Sequence, residues 1–193
     1  LSGFQWLAKH WGMDCILEVG QNVKDALRYA IQTTAQQAEK QTVFTVTGWR
    51  KIDGEYHFLM PGDEQHTVTL PGKMHGYTMA RNCSPTDIQI AAELLQSKLA
   101  PEEILWSLIA FAFLTPLNHF LKLAGCEPKF VLFLVGKTGS RKSTLAALML
   151  SFFGKFTTSE LPLSFRDTAN SILHHTFALK DVLTCIDDYH PAG

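Results

Sequence analysis

The fold is decided by residues 130–154, which read FVLFLVGKTGSRKSTLAALMLSFFG. Residues 130–135 are a continuous apolar run of strand length, typical of a strand buried on both faces of a parallel sheet. Residues 142–153 have helical character, and Gly154 is expected to end that helix. Between the two lies a short loop of glycine, hydroxyl and basic residues. The stretch therefore predicts a strand, a tight loop and a helix in succession.

The loop follows the phosphate-loop pattern G-x-x-x-x-G-K-S/T at all but one position. In such a loop, backbone N–H groups surround the phosphates, and the helix that follows adds the positive end of its dipole. Lys142 would contact β- and γ-phosphate oxygens, and Ser143 would offer its hydroxyl to Mg²⁺. The predicted ATP-binding residues are Gly136, Lys137, Thr138, Gly139, Ser140, Arg141, Lys142, Ser143 and Thr144.

Arg141 stands where the pattern requires its second glycine. Glycine is used there because it tolerates a positive φ and lets a phosphate approach the backbone. A forced positive φ at another residue costs about 1–3 kcal/mol, which corresponds to roughly 5- to 150-fold weaker binding. Three interpretations stay open: a tolerated variation, a loop disabled in a decayed element, or an introduced change. Because Gly139 and Ser140 supply flexibility, we expect a loop of normal shape and leave its activity open.

A second acidic signal follows the loop. Residues 182–186 (VLTCI) are an apolar run that predicts a strand, and Asp187 and Asp188 come directly after it. The carboxyl ends of strands in open α/β sheets line the crevice that binds ligands. We expect Asp187 to hold Mg²⁺ and Asp188 to orient or deprotonate the attacking water. The predicted catalytic residues are thus Lys142, Asp187 and Asp188, and the predicted metal ligands are Ser143 and Asp187.

Residues 1–83 are predicted as a small α+β domain, and residues 84–193 as a helical lead-in followed by the first half of a parallel α/β sheet. The first domain is expected to contain strands at residues 15–19, 42–47, 56–60 and 66–70 and a helix at residues 22–40. In the second, Ser84 and Pro85 are typical of a helix start, and helices are expected at residues 84–99, 101–125 and 167–175. A half sheet leaves apolar edges uncovered, so we expect the chain to associate.

Composition limits the remaining possibilities. Hydrophobic residues make up 46% of the chain and charged residues 18%, which favours a packed core over disorder. The net charge is −1, so a nucleic-acid partner would have to bind at a local basic patch. Residues 104–121 carry no charge, but Pro116 favours a kinked, buried helix over a membrane span. The four cysteines, Cys15, Cys83, Cys126 and Cys185, fit no zinc-site spacing, and we expect free thiols in a cytoplasmic protein.

Several other side chains invite a functional interpretation. His174 and His175 are adjacent and point in different directions on a helix, so we expect one to be packed and one exposed. Arg166 would face DNA or a neighbouring subunit, or else be an ordinary surface charge. Three phenylalanines are expected in the core: Phe111, Phe113 and Phe120.

Residues 130–193 resemble the ATPase core of the domain-of-unknown-function family nine-two-seven, helicase-related proteins of phages, integrative elements and resistance cassettes. The resemblance lies in FLVGKTGSRKSTLAALMLSFFGKF, LPLSFRDTANSI and KDVLTCIDDYHPAG, and upstream in TGWRKIDGEYHFLMPG. It implies an AAA+-type ATPase similar to superfamily-three or minichromosome-maintenance helicases. Such proteins assemble as rings on DNA. It makes Lys142 and Ser143 the Walker A pair and Asp187 and Asp188 the Walker B pair, and we expect a fragment that stops soon after them.

Three functions are compatible with these patterns. The first is the motor of a mobile-element helicase, in which ATP hydrolysis drives DNA handling. The second is a nucleotide-binding or decayed module without turnover, which Arg141 favours. The third is a P-loop kinase of small molecules, which usually carries its loop near the amino terminus and is therefore ranked last.

Overall fold

The computed structural model describes residues 20–36, 38–80 and 82–189, and it divides the chain into two compact units at residues 41 and 42. In the first unit, helix α1 spans Gln21–Ala35 and ends before the predicted residue 40. The hydroxyls of Thr33 and Thr34 donate to the carbonyls of Tyr29 and Ala30, a local competition that weakens a helix end. The predicted strand at residues 15–19 lies outside the described residues.

The second unit opens with four short strands: β1 (Val43–Phe44), β2 (Gly48–Ile52), β3 (Glu55–Leu59) and β4 (Thr67–Val68). Strands β2 and β3 form an antiparallel hairpin in which Gly48 faces Leu59. Its two turn residues, Asp53 and Gly54, have φ of 49° and 94°, as a tight hairpin turn requires. Strand β1 pairs with β4 in parallel, so these four strands form two separate pairs.

Three helices follow: α2 (Pro85–Gln96), α3 (Glu102–Leu114) and α4 (Asn118–Leu123). The start of α2 is confirmed, because Ser84 and Asp87 bond reciprocally to each other's backbone N–H. Hydrogen bonds from Ser84 lower the pKa of the Asp87 carboxyl, which keeps it ionised at the positive end of the helix. The predicted interruption at Pro116 is also present, as a 3-10 turn over Thr115–Leu117 between α3 and α4.

The last part contains helix α5 (Lys142–Leu150), a 3-10 turn at Ser151–Phe153, strand β5 (Leu163–Ser164), helix α6 (Ala169–Ala178) and strand β6 (Ile186–Asp187). Strands β5 and β6 are parallel, with Leu163 facing Ile186 and Ser164 facing Asp187. Helix α5 and its 3-10 extension stop at Gly154 as predicted. The chain is therefore a mixture of helix and strand with short parallel sheets.

The prediction of a fully buried strand at residues 130–135 is wrong. These residues have no strand partner in the described part of the chain, and five of the six side chains are 41–91% exposed. A strand is stable only when a neighbour supplies its hydrogen bonds, and no described strand pairs with this run. The predicted strand at residues 182–186 is present only at its end, in β6, although Val182 and Leu183 are buried.

One hydrophobic core joins the β-rich part to the helices of the second unit. Met60, Met74 and Tyr77 pack in the same cluster as Leu105 and Met149. The predicted boundary between residues 83 and 84 therefore does not coincide with a division of the structure, since residues on both sides of it share this core.

Residues 102–123, which include α3 and α4, form one run that is long and apolar enough to cross a membrane by length and composition. Its Leu105, Ile109 and Ala112 lie in the core cluster, as expected of a core helix. The prediction that all three phenylalanines are core residues is wrong for two of them. Phe113 is 56% exposed, because it lies off the face of α3 that Leu105, Ile109 and Ala112 bury. Phe120 is 39% exposed and belongs to α4, a short helix without a fully buried side chain.

Thr47 joins the β-rich part to the segment that follows α6. This fully buried side chain donates to the carbonyl of Lys180 at 2.8 Å and accepts from its N–H at 2.9 Å. Its neighbour Gly48 has φ of 93°, and a Cβ there would lie 2.5 Å from Asp181 Oδ2. The same carboxylate accepts from the N–H of Trp49. Because the approach is this close, the hydroxyl and the glycine are both required.

We expect Thr47→Val to reduce the free energy of unfolding by about 1–3 kcal/mol, since the isosteric valine leaves the backbone groups of Lys180 buried without a partner. Urea denaturation followed by circular dichroism measures the change. Thr47→Ser keeps the hydroxyl and serves as the control, with a smaller loss. A Thr47→Val protein as stable as the parent would contradict the assignment.

The exposed apolar run at residues 130–135 predicts concentration-dependent association, which Val131→Lys should reduce because burying an unpaired charge in an apolar contact is costly. Sedimentation velocity over a range of concentrations measures it. Leu173→Lys is the matched control, since Leu173 is 69% exposed and Val131 is 72% exposed. Equal effects of the two substitutions, or a parent chain that stays monomeric at every concentration, would rule out this run as the cause.

Candidate functional site

The loop at residues 136–141 folds around the side chain of Lys142. The Lys142 ammonium donates to the carbonyls of Gly136 at 2.8 Å and Lys137 at 3.1 Å, and it lies 3.5 Å from Ser140 Oγ. A Cβ added at Gly136 would lie 2.8 Å from that same hydroxyl oxygen. The loop is therefore a closed turn with a cation at its centre, and a side chain at its first glycine would displace the Ser140 hydroxyl.

Arg141 has φ of 61° and ψ of 27°, the left-handed conformation for which glycine is preferred. Arg141 thus adopts the conformation that the pattern reserves for glycine. Arg141 precedes the first residue of α5, and its side chain forms no capping bond to the helix. The first N–H groups of α5 have no acceptor within the helix, as at every helix start. They face the loop end of the site, where an anion would satisfy them.

Ser143 and Asp187 come together although they are far apart in the sequence. Ser143 Oγ donates to Asp187 Oδ2 at 3.2 Å, and both residues are half-buried. Strand β6 places the aspartate and the first turn of α5 places the serine. Together they present a hydroxyl and a carboxylate, which are oxygen ligands suited to Mg²⁺.

Asp188 points to a different partner. Its Oδ2 lies 3.2 Å from Arg166 Nε, and its backbone has a left-handed φ of 58°. The sequence left Arg166 as a surface charge or a contact to DNA or a neighbouring subunit, and it gave no signal for this pair. Only the parallel register of β5 and β6 brings the two residues together.

Burial raises the pKa of the Cys185 thiol to about 11, and the nearby Asp187 carboxylate adds to this effect. Cys185 is therefore an uncharged thiol at neutral pH and no strong metal ligand. Cys83 and Cys126 are free as expected, and Cys15 lies outside the described residues. His174 is exposed and His175 is half-buried, with their rings nearly perpendicular, which agrees with the prediction for this pair.

Among the described residues, no group of three or more histidine, cysteine, aspartate and glutamate side chains could hold a metal ion. Mg²⁺ in phosphate-binding sites needs only one or two protein ligands, because waters and phosphate oxygens fill the other positions. The Ser143 and Asp187 pair fits that requirement. The cationic loop fits a phosphate, since Lys142 holds positive charge where phosphate oxygens would replace the loop carbonyls as its acceptors.

Residues 136–143 and 187 are thus brought into one site, and Asp188 lies at its edge. The predicted residues Lys137, Thr138 and Gly139 lie in the loop itself, and Thr144 lies in the first turn of α5. Compared with protein-family models, with curated proteins and with solved structures, the chain matches none.

Proposed function

We propose that the chain binds Mg-ATP at the loop of residues 136–144 and is the nucleotide-binding part of a P-loop ATPase. The observation that carries this proposal is the 3.2 Å contact between Ser143 Oγ and Asp187 Oδ2. A loop pattern alone is a local signal. Its meeting with an acidic strand end from a distant part of the sequence is the arrangement that Mg-nucleotide binding requires.

Each residue has a stated role in this proposal. Lys142 contacts the β- and γ-phosphate oxygens, and the loop N–H groups and the start of α5 surround the phosphates. Ser143 and Asp187 hold Mg²⁺. Asp188 accepts a proton from the water whose oxygen forms the new bond to the γ-phosphorus, while the bond from that phosphorus to the β-phosphate oxygen breaks.

The resemblance to helicase-related proteins of mobile elements supports a wider proposal, in which ATP turnover drives DNA handling by a ring of subunits in the cytoplasm. The chain's net charge of −1 gives it no overall attraction for DNA. DNA would therefore contact a local patch or a surface formed by the assembled ring.

The second candidate function is nucleotide binding without turnover. It is favoured by Arg141, whose side chain stands where the phosphate-loop pattern has a glycine that lets a phosphate approach the backbone. Binding with no phosphate release, in the presence of DNA, would favour this candidate over the motor.

Lys142→Ala should weaken Mg-ATP binding by about 10- to 150-fold, the equivalent of roughly 1.5–3 kcal/mol for hydrogen bonds to a charged group. Titration with a fluorescent ATP analogue in the presence of Mg²⁺ gives the dissociation constant. Lys129→Ala, an exposed lysine outside the loop, is the control and should leave binding unchanged. Unaltered binding in Lys142→Ala, or no binding by the parent chain, would refute the proposed site.

Arg141→Gly should change the dissociation constant for Mg-ATP by less than about threefold, roughly 0.6 kcal/mol. The reason is that Arg141 is already left-handed without nucleotide, so its strain is present before and after binding and cancels from the difference. The same titration measures it. A 5- to 150-fold gain would instead mean that the parent loop must be forced into this conformation on binding, and that the parent chain is a disabled relative.

A further inference from the structure

Arg166 is the ion-pair partner of Asp188 among the described residues, and the proposed function gives it no role. Its guanidinium contacts the carboxylate through Nε at 3.2 Å. Asp188 lies just past the end of β6, and its left-handed backbone takes its side chain out of the strand's alternation. Its direction therefore depends on what the carboxylate binds, and the residue that it binds is Arg166.

The turn that carries Arg166 is held in place by its own hydrogen bonds. The Arg166 N–H donates to Ser164 Oγ at 3.1 Å, and the Ser164 N–H donates to Asp167 Oδ2 at 3.0 Å. Lys73 donates to the other Asp167 oxygen at 2.8 Å. The hydrogen bonds from Lys73 and Ser164 lower the pKa of the Asp167 carboxyl, so it remains ionised and keeps the turn closed at neutral pH.

The same turn is tied to the acidic strand end. The Phe165 N–H donates to the carbonyl of Asp187 at 2.9 Å, and the Phe165 ring lies 5.0 Å from the ring of Tyr189. The turn that carries Arg166 is thus held by Lys73 through Asp167 and by the backbone of Asp187, and it places Arg166 beside Asp188. Neighbouring carboxylates have separate partners: Asp187 faces Ser143 on α5, and Asp188 faces Arg166 on this turn.

We propose that Arg166 is a positioning residue that restrains Asp188 in the nucleotide-free site and releases it when Mg-nucleotide binds. This inference rests on the proposed function. A carboxylate held by a guanidinium on the β5 turn is not free to face a water molecule at the phosphate loop. The pair is exposed to solvent on both sides, with side-chain exposures of 74% for Arg166 and 43% for Asp188. Exposed pairs of this kind are weak, which suits a contact that must break in each cycle.

The pair is tested directly by NMR of the full chain labelled with ¹⁵N-arginine, since the sequence contains only five arginines. Arg166→Lys identifies the Arg166 Nε–Hε signal by its loss. Asp188→Asn should shift this signal in the nucleotide-free protein. Mg²⁺ with a non-hydrolysable ATP analogue should move the parent signal towards its position in Asp188→Asn. If the chemical shift of this signal is unchanged by Asp188→Asn, or unchanged when nucleotide binds, the proposed restraint is wrong.

Turnover gives the second readout. Arg166→Gln should raise phosphate release at saturating Mg-ATP by about two- to fivefold, the equivalent of at most roughly 1 kcal/mol, with KM unchanged. Arg166→Lys retains the charge and should behave as the parent, and Arg50→Gln, an exposed arginine outside the site, should have no effect. A fall in turnover, or no release from either protein, would also overturn the restraint.

The two proposals fail in different ways. If the fluorescent nucleotide does not bind and Lys142→Ala changes nothing, the proposed function fails, and the restraint fails with it. If nucleotide binds through Lys142 and the Arg166 signal stays unchanged on binding, the function stands and the restraint alone is wrong.

Discussion

The structure of the second unit depends on the hydrogen bonds between Thr47 and Lys180. A buried hydroxyl that both donates to and accepts from one backbone residue fixes the distance between two segments and the register at which they meet. A second buried hydroxyl, that of Tyr77, donates to the carbonyl of Leu183, which lies three residues after Lys180. The chain from residue 179 to 183 is therefore held along one side before it reaches the acidic pair. Asp187 and Asp188 are placed by the β-rich part of the fold as much as by their own strand.

How far the sequence predicts this fold depends on how locally each element is stabilised. The start of α2 could be predicted because Ser84, Pro85 and Asp87 supply every group that it needs within one turn. The absence of a strand at residues 130–135 could not be predicted. An apolar run forms a buried strand only if other parts of the chain supply neighbouring strands and cover its faces, and the run itself does not show whether they do. The predictions that Phe113 and Phe120 are buried were wrong for the same reason. An aromatic side chain on an apolar helix carries no information about which face of the helix will be covered.

The candidate site also has a part that depends on local contacts and a part that depends on distant ones. The loop around Lys142 is built from residues within a few positions of each other, so its pattern singled out this segment, although it predicted neither the carbonyl acceptors of Lys142 nor the missing strand before the loop. The pairing of Asp188 with Arg166 depends on the two short parallel strands β5 and β6. The sequence gives little indication of these strands, so the pair was not predicted. In the proposed function, phosphate binding at this loop is an exchange of hydrogen-bond acceptors. A phosphate must replace carbonyl acceptors that already satisfy Lys142, so only the stronger bond to a charged oxygen gives net binding.

Backbone strain in the described residues follows the functional geometry. Four residues other than glycine have a positive φ: Asp53, Arg141, Asp181 and Asp188. Asp53 serves the hairpin turn, and Asp181 accepts a hydrogen bond at the Thr47 contact. The other two lie on opposite sides of the candidate site, one before the helix and one after the acidic strand. Strain of this kind persists only where surrounding contacts over-determine the backbone. For Arg141 that contact is the closed loop around Lys142, and for Asp188 it is the hydrogen bond from the Phe165 N–H to the carbonyl of Asp187, which fixes the adjoining peptide. The ion pair with Arg166 holds only the side chain of Asp188, so under the proposed restraint nucleotide can release that carboxylate without disturbing the backbone on either side of the site.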